Sequence, residues 1–69
     1  MTDTKTVDEL KVGDLISLEG ELWVITEIDG DFAINMRNTD PNALRSENAL
    51  FGNWKKQLAN IGYSFTSKL

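Results

Sequence analysis

The chain has no cysteine and no histidine. Without cysteine no disulfide can form, and the absence suits a reducing compartment, so the cytoplasm is the expected location. Zinc sites built from thiolates and imidazoles are excluded. So are Ser-His-Asp and Cys-His nucleophile systems. No side chain with an unperturbed pKa near neutrality remains to shuttle protons. Catalysis is therefore not expected, and no cofactor is implied. Long apolar runs are missing too: no stretch approaches the roughly 18 apolar residues that would suggest a membrane-spanning helix. There is a single proline, Pro41, in the middle of the chain.

Basic residues are the minority, seven against eleven acids, for a net charge of −4. Their distribution matters more than the sum. Nine of the acids and two of the bases precede Phe32; two acids and five bases follow from there. Such asymmetry can steer a partner or favour head-to-tail packing. The alternative is a mixed surface that serves solubility.

With 69 residues the chain is expected to form one small domain, with residues 1–5 a polar tail that nothing apolar anchors. A domain of this size buries only about 60% of its unfolded surface. One core of that size rarely supplies more than ~3–5 kcal/mol without a staple. Self-association is one way to add to it, so a homo-oligomer is an option.

Leu15 to Asn38 organise the rest. Asp29-Gly30 stands between two alternating runs. Upstream, Leu22, Val24, Thr26 and Ile28 share one face and Trp23, Ile25 and Glu27 the other. Downstream, Phe32, Ile34 and Met36 alternate with Ala33, Asn35 and Arg37. Period two on both sides of Asp-Gly predicts a hairpin with a two-residue type I′ turn. Glu19-Gly20 predicts a second turn and a third strand over Leu15–Leu18. Large apolar groups on both sides of the middle strand imply that its second face is covered as well. Trp23 then reads as core, with an exposed binding anchor as the sharper alternative.

Before the first strand, Thr6-Val7-Asp8-Glu9 has capping-box spacing and predicts one helical turn, with Leu10 and Val12 packing on the sheet. The run from Leu10 to Ile25, with Gly13, Gly20, Glu27, Arg37 and Asn38 in their places, resembles the opening of SH3-like small β-barrels. It is similar to the KOW-type amino-terminal barrel of bacterial translation elongation factor P, over about residues 10–38. That resemblance implies a twisted, curled sheet. The longer, Lys-bearing loop at the factor's functional tip has no counterpart here, so no functional residue is carried over.

Beyond Asn38, Asp40-Pro41 suggests a turn or helix start, with a turn of helix at Ala43-Leu44-Arg45. Leu50, Trp54, Leu58 and Ile61 recur at helical spacing, with Ser46 as a plausible N-cap and Gly62 just past the end. Gly52 either lies inside that helix or marks a true start at Asn53. Tyr63 to Ser67 alternate again and predict a last strand. The expected architecture is α+β: a curled antiparallel β-meander of SH3-like barrel type, one C-terminal amphipathic helix and a short final strand.

Three acids, Glu27, Asp29 and Asp31, converge on one hairpin tip. A divalent cation would take carboxylate oxygens, but the D-x-D-x-D-G spacing is missing and solvated acids are ordinary. A glycosidase carboxylate pair needs a cleft for which the chain has little room. Arg37, Arg45, Lys55 and Lys56, beside Trp54 and Tyr63, could form a basic aromatic face for nucleic acid. The sequence pI near 4.5 opposes it. The acidic half suggests docking on a basic protein. The expectation is a non-catalytic interaction domain for a protein partner, an accessory or inhibitory protein of bacterial or phage type. Nucleic acid is the alternative. The partner-binding candidates are Trp23, Arg37, Arg45, Lys55, Lys56, Glu19, Glu21 and Glu27.

Overall fold

A computed structural model describes residues 6–68, with side chains described for residues 6–65. A 3-10 turn, Val7–Glu9, leads into strands β1 (Asp14–Leu18), β2 (Glu21–Asp29), β3 (Ala33–Asn38) and β4 (Glu47–Phe51). Helix α1 (Trp54–Ile61) and strand β5 (Tyr63–Lys68) complete the chain. The strands form one antiparallel sheet in the order β4-β3-β2-β1-β5, so the architecture is α+β as expected. Among the described residues no ladder joins β4 to β5, and the sheet stays open. No described helix is long and apolar enough to cross a membrane.

The inner face follows from alternation. Ile16 and Leu18 of β1, Trp23 and Ile25 of β2, and Ile34 and Met36 of β3 are buried together, and Trp54 and Leu58 of α1 close over them. The 3-10 turn carries the expected capping box, with the Thr6 N–H donating to Glu9 Oε1 at 3.1 Å. It delivers Leu10 into the core. Val12, also expected on the sheet, is instead 59% exposed. Asp14 is fully buried at the start of β1, and its Oδ2 accepts from the Lys11 N–H at 2.9 Å.

Other expectations also change on the structure. A register shift between Ile25 and Glu27 makes Thr26 an extra residue in β2. Every side chain beyond it changes face, so Ile28 joins Trp23 and Ile25 instead of opposing them, pairing with Ile34 against the core. That leaves the outer face of β2 with Leu22 and Val24, and α1 packs on the inner side, so the outer face is not covered.

One of the two turns is as expected and the other is longer. Glu19-Gly20 is the two-residue turn, with Leu18 opposite Glu21 and both residues at positive φ (49° and 84°), as a type I′ turn requires. The second hairpin has a three-residue loop, Gly30-Asp31-Phe32, closed by the Phe32 N–H donating to Asp29 O at 2.9 Å.

Asp40-Pro41 starts no helix. The Asp40 N–H donates to Asn38 Oδ1 (2.8 Å) and the Asn42 N–H to Asp40 Oδ1 (2.9 Å), so side-chain-closed turns occupy the segment.

The helix begins late. Leu50, expected on its apolar face, lies in β4 opposite Ile34, and Ser46 caps nothing helical. Gly52 and Asn53, at φ 60° and 35°, swing the chain out of β4, and α1 starts directly after Asn53, the second of the two starts considered. At the other end the Gly62 N–H closes the helix onto Leu58 O at 2.9 Å. The final strand forms as expected, on β1.

Candidate functional site

The chain turns at two ends of the sheet, and both are built around α1. At one end lie the β1–β2 turn, the segment 39–46 and the C-terminus of α1. A cavity of about 350 Å³ opens there. Leu18 and Trp23 form its apolar floor, Leu44 and Ile61 stand beside it, and Glu19, Glu21, Arg45 and Asn48 supply its polar groups. Leu44 is fully exposed and Ile61 is 43% exposed. Glu21 is held in place by Asn38, whose Nδ2 donates to Glu21 Oε1 at 3.1 Å; Asn38 itself is buried. The strained left-handed turn at Glu19 points the chain around this rim.

The other end is tied shut. Lys55 Nζ lies 2.9 Å from Asp8 Oδ1 and 3.1 Å from Asp31 Oδ1, joining α1, the 3-10 turn and the β2–β3 loop. The same ammonium sits 5.6 Å from the centroid of the Trp54 ring. Hydrogen bonds to Asp8 first, then Asp31, hold its pKa above 10.5. Trp54 Nε1 donates to Gly30 O at 2.9 Å, and Gln57 Nε2 donates to the carbonyls of Phe51 (2.8 Å) and Gly52 (2.7 Å).

Of the eight candidates, the structure brings Glu19, Glu21, Trp23 and Arg45 to one cavity. Trp23 is only 2% exposed, so it is the floor of the groove and not a protruding anchor. The basic set does not assemble in the same way. Arg37 lies on the outer face of β3, between Val24 and Glu47. Lys55 is committed to two carboxylates, and Lys56 is exposed on α1. Glu27 lies on β2 beyond the bulge and accepts from Asn35 Nδ2 at 2.7 Å. Asp31 of that hairpin is held by Lys55. No group of three or more potential metal-ligating side chains occurs among the described residues.

A larger depression, about 480 Å³, runs beside Glu27, Asn35 and Glu47. Its walls are mostly polar, and it offers less apolar surface to a ligand than the Leu18–Trp23 groove with its exposed Leu44 and Ile61. Leu44 and Ile61 were not among the candidates. Leu44 could have been found: it is a large apolar residue in an otherwise polar, turn-rich segment. Ile61 carries no such signal, because its spacing is that of a core position. Comparison with protein-family models, with curated proteins and with solved structures finds no match for this chain.

Proposed function

We propose that the chain is a non-catalytic interaction domain that binds a protein partner in the groove between the β1–β2 turn, the segment 39–46 and the end of α1. The observation that carries this reading is the exposure of Leu44 and Ile61 beside a Trp23–Leu18 floor, under the carboxylates of Glu19 and Glu21. Apolar side chains left in water around a concave floor gain from a partner that covers them. The two acids outnumber Arg45 in the groove and favour a segment that carries Lys or Arg beside its apolar groups. The nucleic-acid alternative loses support because Lys55 is neutralised by Asp8 and Asp31, while Arg37 and Arg45 lie in different regions.

The finer reading follows the same line. The sheet order and the resemblance over residues 10–38 support an SH3-like small barrel, open along one seam. The lack of cysteine supports action in the cytoplasm. Small size and an acidic surface suit an accessory or inhibitory protein of bacterial or phage type.

The immobilised full chain should retain a protein from nuclease-treated lysate. Leu44→Glu and the double variant Glu19→Lys with Glu21→Lys should each lose it while keeping the native circular dichroism. Retention of the same protein by both variants would overturn the groove as the binding surface. Retention of nucleic acid alone, lost on nuclease treatment, would favour the alternative.

A further inference from the structure

Strand β4 pairs with β3 on one side, and no described strand pairs with its other side. The hydrogen-bond pattern says which groups face outward. The Asn38 N–H donates to Ser46 O at 2.8 Å, and at the far end the Gly52 N–H donates to Phe32 O. Antiparallel pairs alternate, so Asn48 and Leu50 turn their backbone groups to β3, and Glu47, Ala49 and Phe51 turn theirs to the open edge. Of these, Phe51 C=O accepts from Gln57. Edge strands are usually blunted by Lys, Pro or a bulge. The sequence Glu-Asn-Ala-Leu-Phe has neither residue, and its pairing with β3 runs without a register shift. Beside this edge two aromatics stand in water: Phe51 is 64% exposed and Phe32 63%, with ring centroids 6.3 Å apart in an edge-to-face pair.

We propose that β4 is a self-pairing edge, at which two copies of this chain join antiparallel about a two-fold axis through Ala49. Several features select a second copy. In this register Ala49 faces Ala49 and Glu47 faces Phe51, so every outward residue of β4 is engaged, with Phe51 C=O using its second lone pair beside the bond from Gln57. A slip of the axis to Asn48 or Leu50 leaves one of the three unpaired. No like charges oppose each other, because Glu47 meets an aromatic ring and not its own copy. The smallest side chain of the strand sits on the axis. Arg37, which neighbours Glu47 across β3 and β4, comes within reach of the second copy's Phe51 ring, where a guanidinium is favourable. A five-residue edge buries less than the roughly 1,600 Å² of a standard stable interface, so the dimer is concentration-dependent. Each copy carries −4, so added salt strengthens the dimer, the reverse of a nucleic-acid complex. This proposal does not depend on the groove.

Sedimentation of the full chain over a wide concentration range tests it. The expected result is a reversible monomer–dimer equilibrium, favoured by salt. Ala49→Pro should weaken it by about tenfold or more. The Ala49 N–H points outward, so proline removes no bond to β3, and native circular dichroism should persist. Ala49→Cys should cross-link to itself on mild oxidation, since directly opposed residues in such a pair are about 5.5 Å apart at Cα, within disulfide range. The chain has no other cysteine, and Asn60→Cys, exposed on α1, should stay monomeric at the same concentration. A monomer at the highest concentration overturns the proposal, as does a dimer indifferent to Ala49→Pro or equal cross-linking at residues 49 and 60. If Ala49→Pro fails to fold, the cysteine pair decides.

Discussion

At the β2–β3 end, α1 is fastened by side-chain bonds: Lys55 to two aspartates, Trp54 to Gly30 O, and Gln57 to two carbonyls that end β4. At the β1–β2 end the same helix finishes with Ile61 half in water, facing a loop whose Leu44 touches solvent all round. A chain with so small a core concentrates its fastening where the helix begins and leaves apolar surface uncovered where the helix stops. The difference separates residues that hold the fold from residues free to meet a partner.

The sharpest way to break this comparison is Trp54→Ala against Leu44→Ser. Trp54 is buried and its loss should cost ~3–5 kcal/mol. That is as large as the whole stability expected of a domain this size, so the variant should be largely unfolded at room temperature. Leu44→Ser should stay within about 0.5 kcal/mol of the parent. Urea titration followed by circular dichroism measures both. Equal losses would mean that Leu44 holds the fold, and the groove would cease to be a spare surface. A milder version is Trp54→Phe, which keeps most of the apolar ring and gives up the donor to Gly30 O. Its cost should be about 1–2 kcal/mol, including that hydrogen bond.

Much of this division could be read from the residues. Period-two alternation found the meander, put Trp23 with Ile25 and Ile34 with Met36, and read Trp23 as core; which face of each strand turns inward is given by the structure. Gly62 and the Thr6–Glu9 box marked real chain boundaries. The failures have a common cause in that local pattern cannot report long-range pairing. Leu50 fits the helical period of Trp54 and Leu58 by coincidence, and only the ladder with Ile34 makes it strand. Nothing around Thr26 announces a bulge, yet that one residue decides which way Ile28 points. The groove gathers side chains from positions 18 to 61, so its acids, Trp23 and the stray Leu44 were each legible in sequence, while their meeting with Leu18 and Ile61 in one groove was not.

The open end also contains a removable strain. Glu19 holds φ 49°, a conformation that costs an ordinary L-residue about 1 kcal/mol and that Asn tolerates better. Glu19→Asn should therefore raise stability by up to about 1 kcal/mol while removing one carboxylate from the rim. If partner retention falls as stability rises, the strained glutamate is kept for binding. If both rise together, the acidic rim contributes nothing to recognition.

The smallest expected effect is alkaline. Lys55 binds its proton more tightly in the fold than in the unfolded chain, because its pKa is raised above 10.5 by Asp8 and Asp31. Its contribution is complete below 10.5 and fades as pH rises through the folded value. Tyr63 is raised above 10.0, first by burial and then by the charges of Glu9 and Asp8, so the fold favours its neutral phenol. Ionisation above 10.0 therefore also favours unfolding. Thermal midpoints should fall as pH climbs past about 10, and the two sources separate by salt. Lys55 is solvated, so its share should shrink in high salt and disappear in Lys55→Met. The burial-driven share of Tyr63 should persist in salt and disappear in Tyr63→Phe. Were Lys55→Met to cost as much as Trp54→Phe at neutral pH, the ion pairs would rank with the buried indole in holding the fastened end. The expected ordering is the reverse, because a solvated ammonium gives up little hydration to its partners while the indole ring is withdrawn from water altogether.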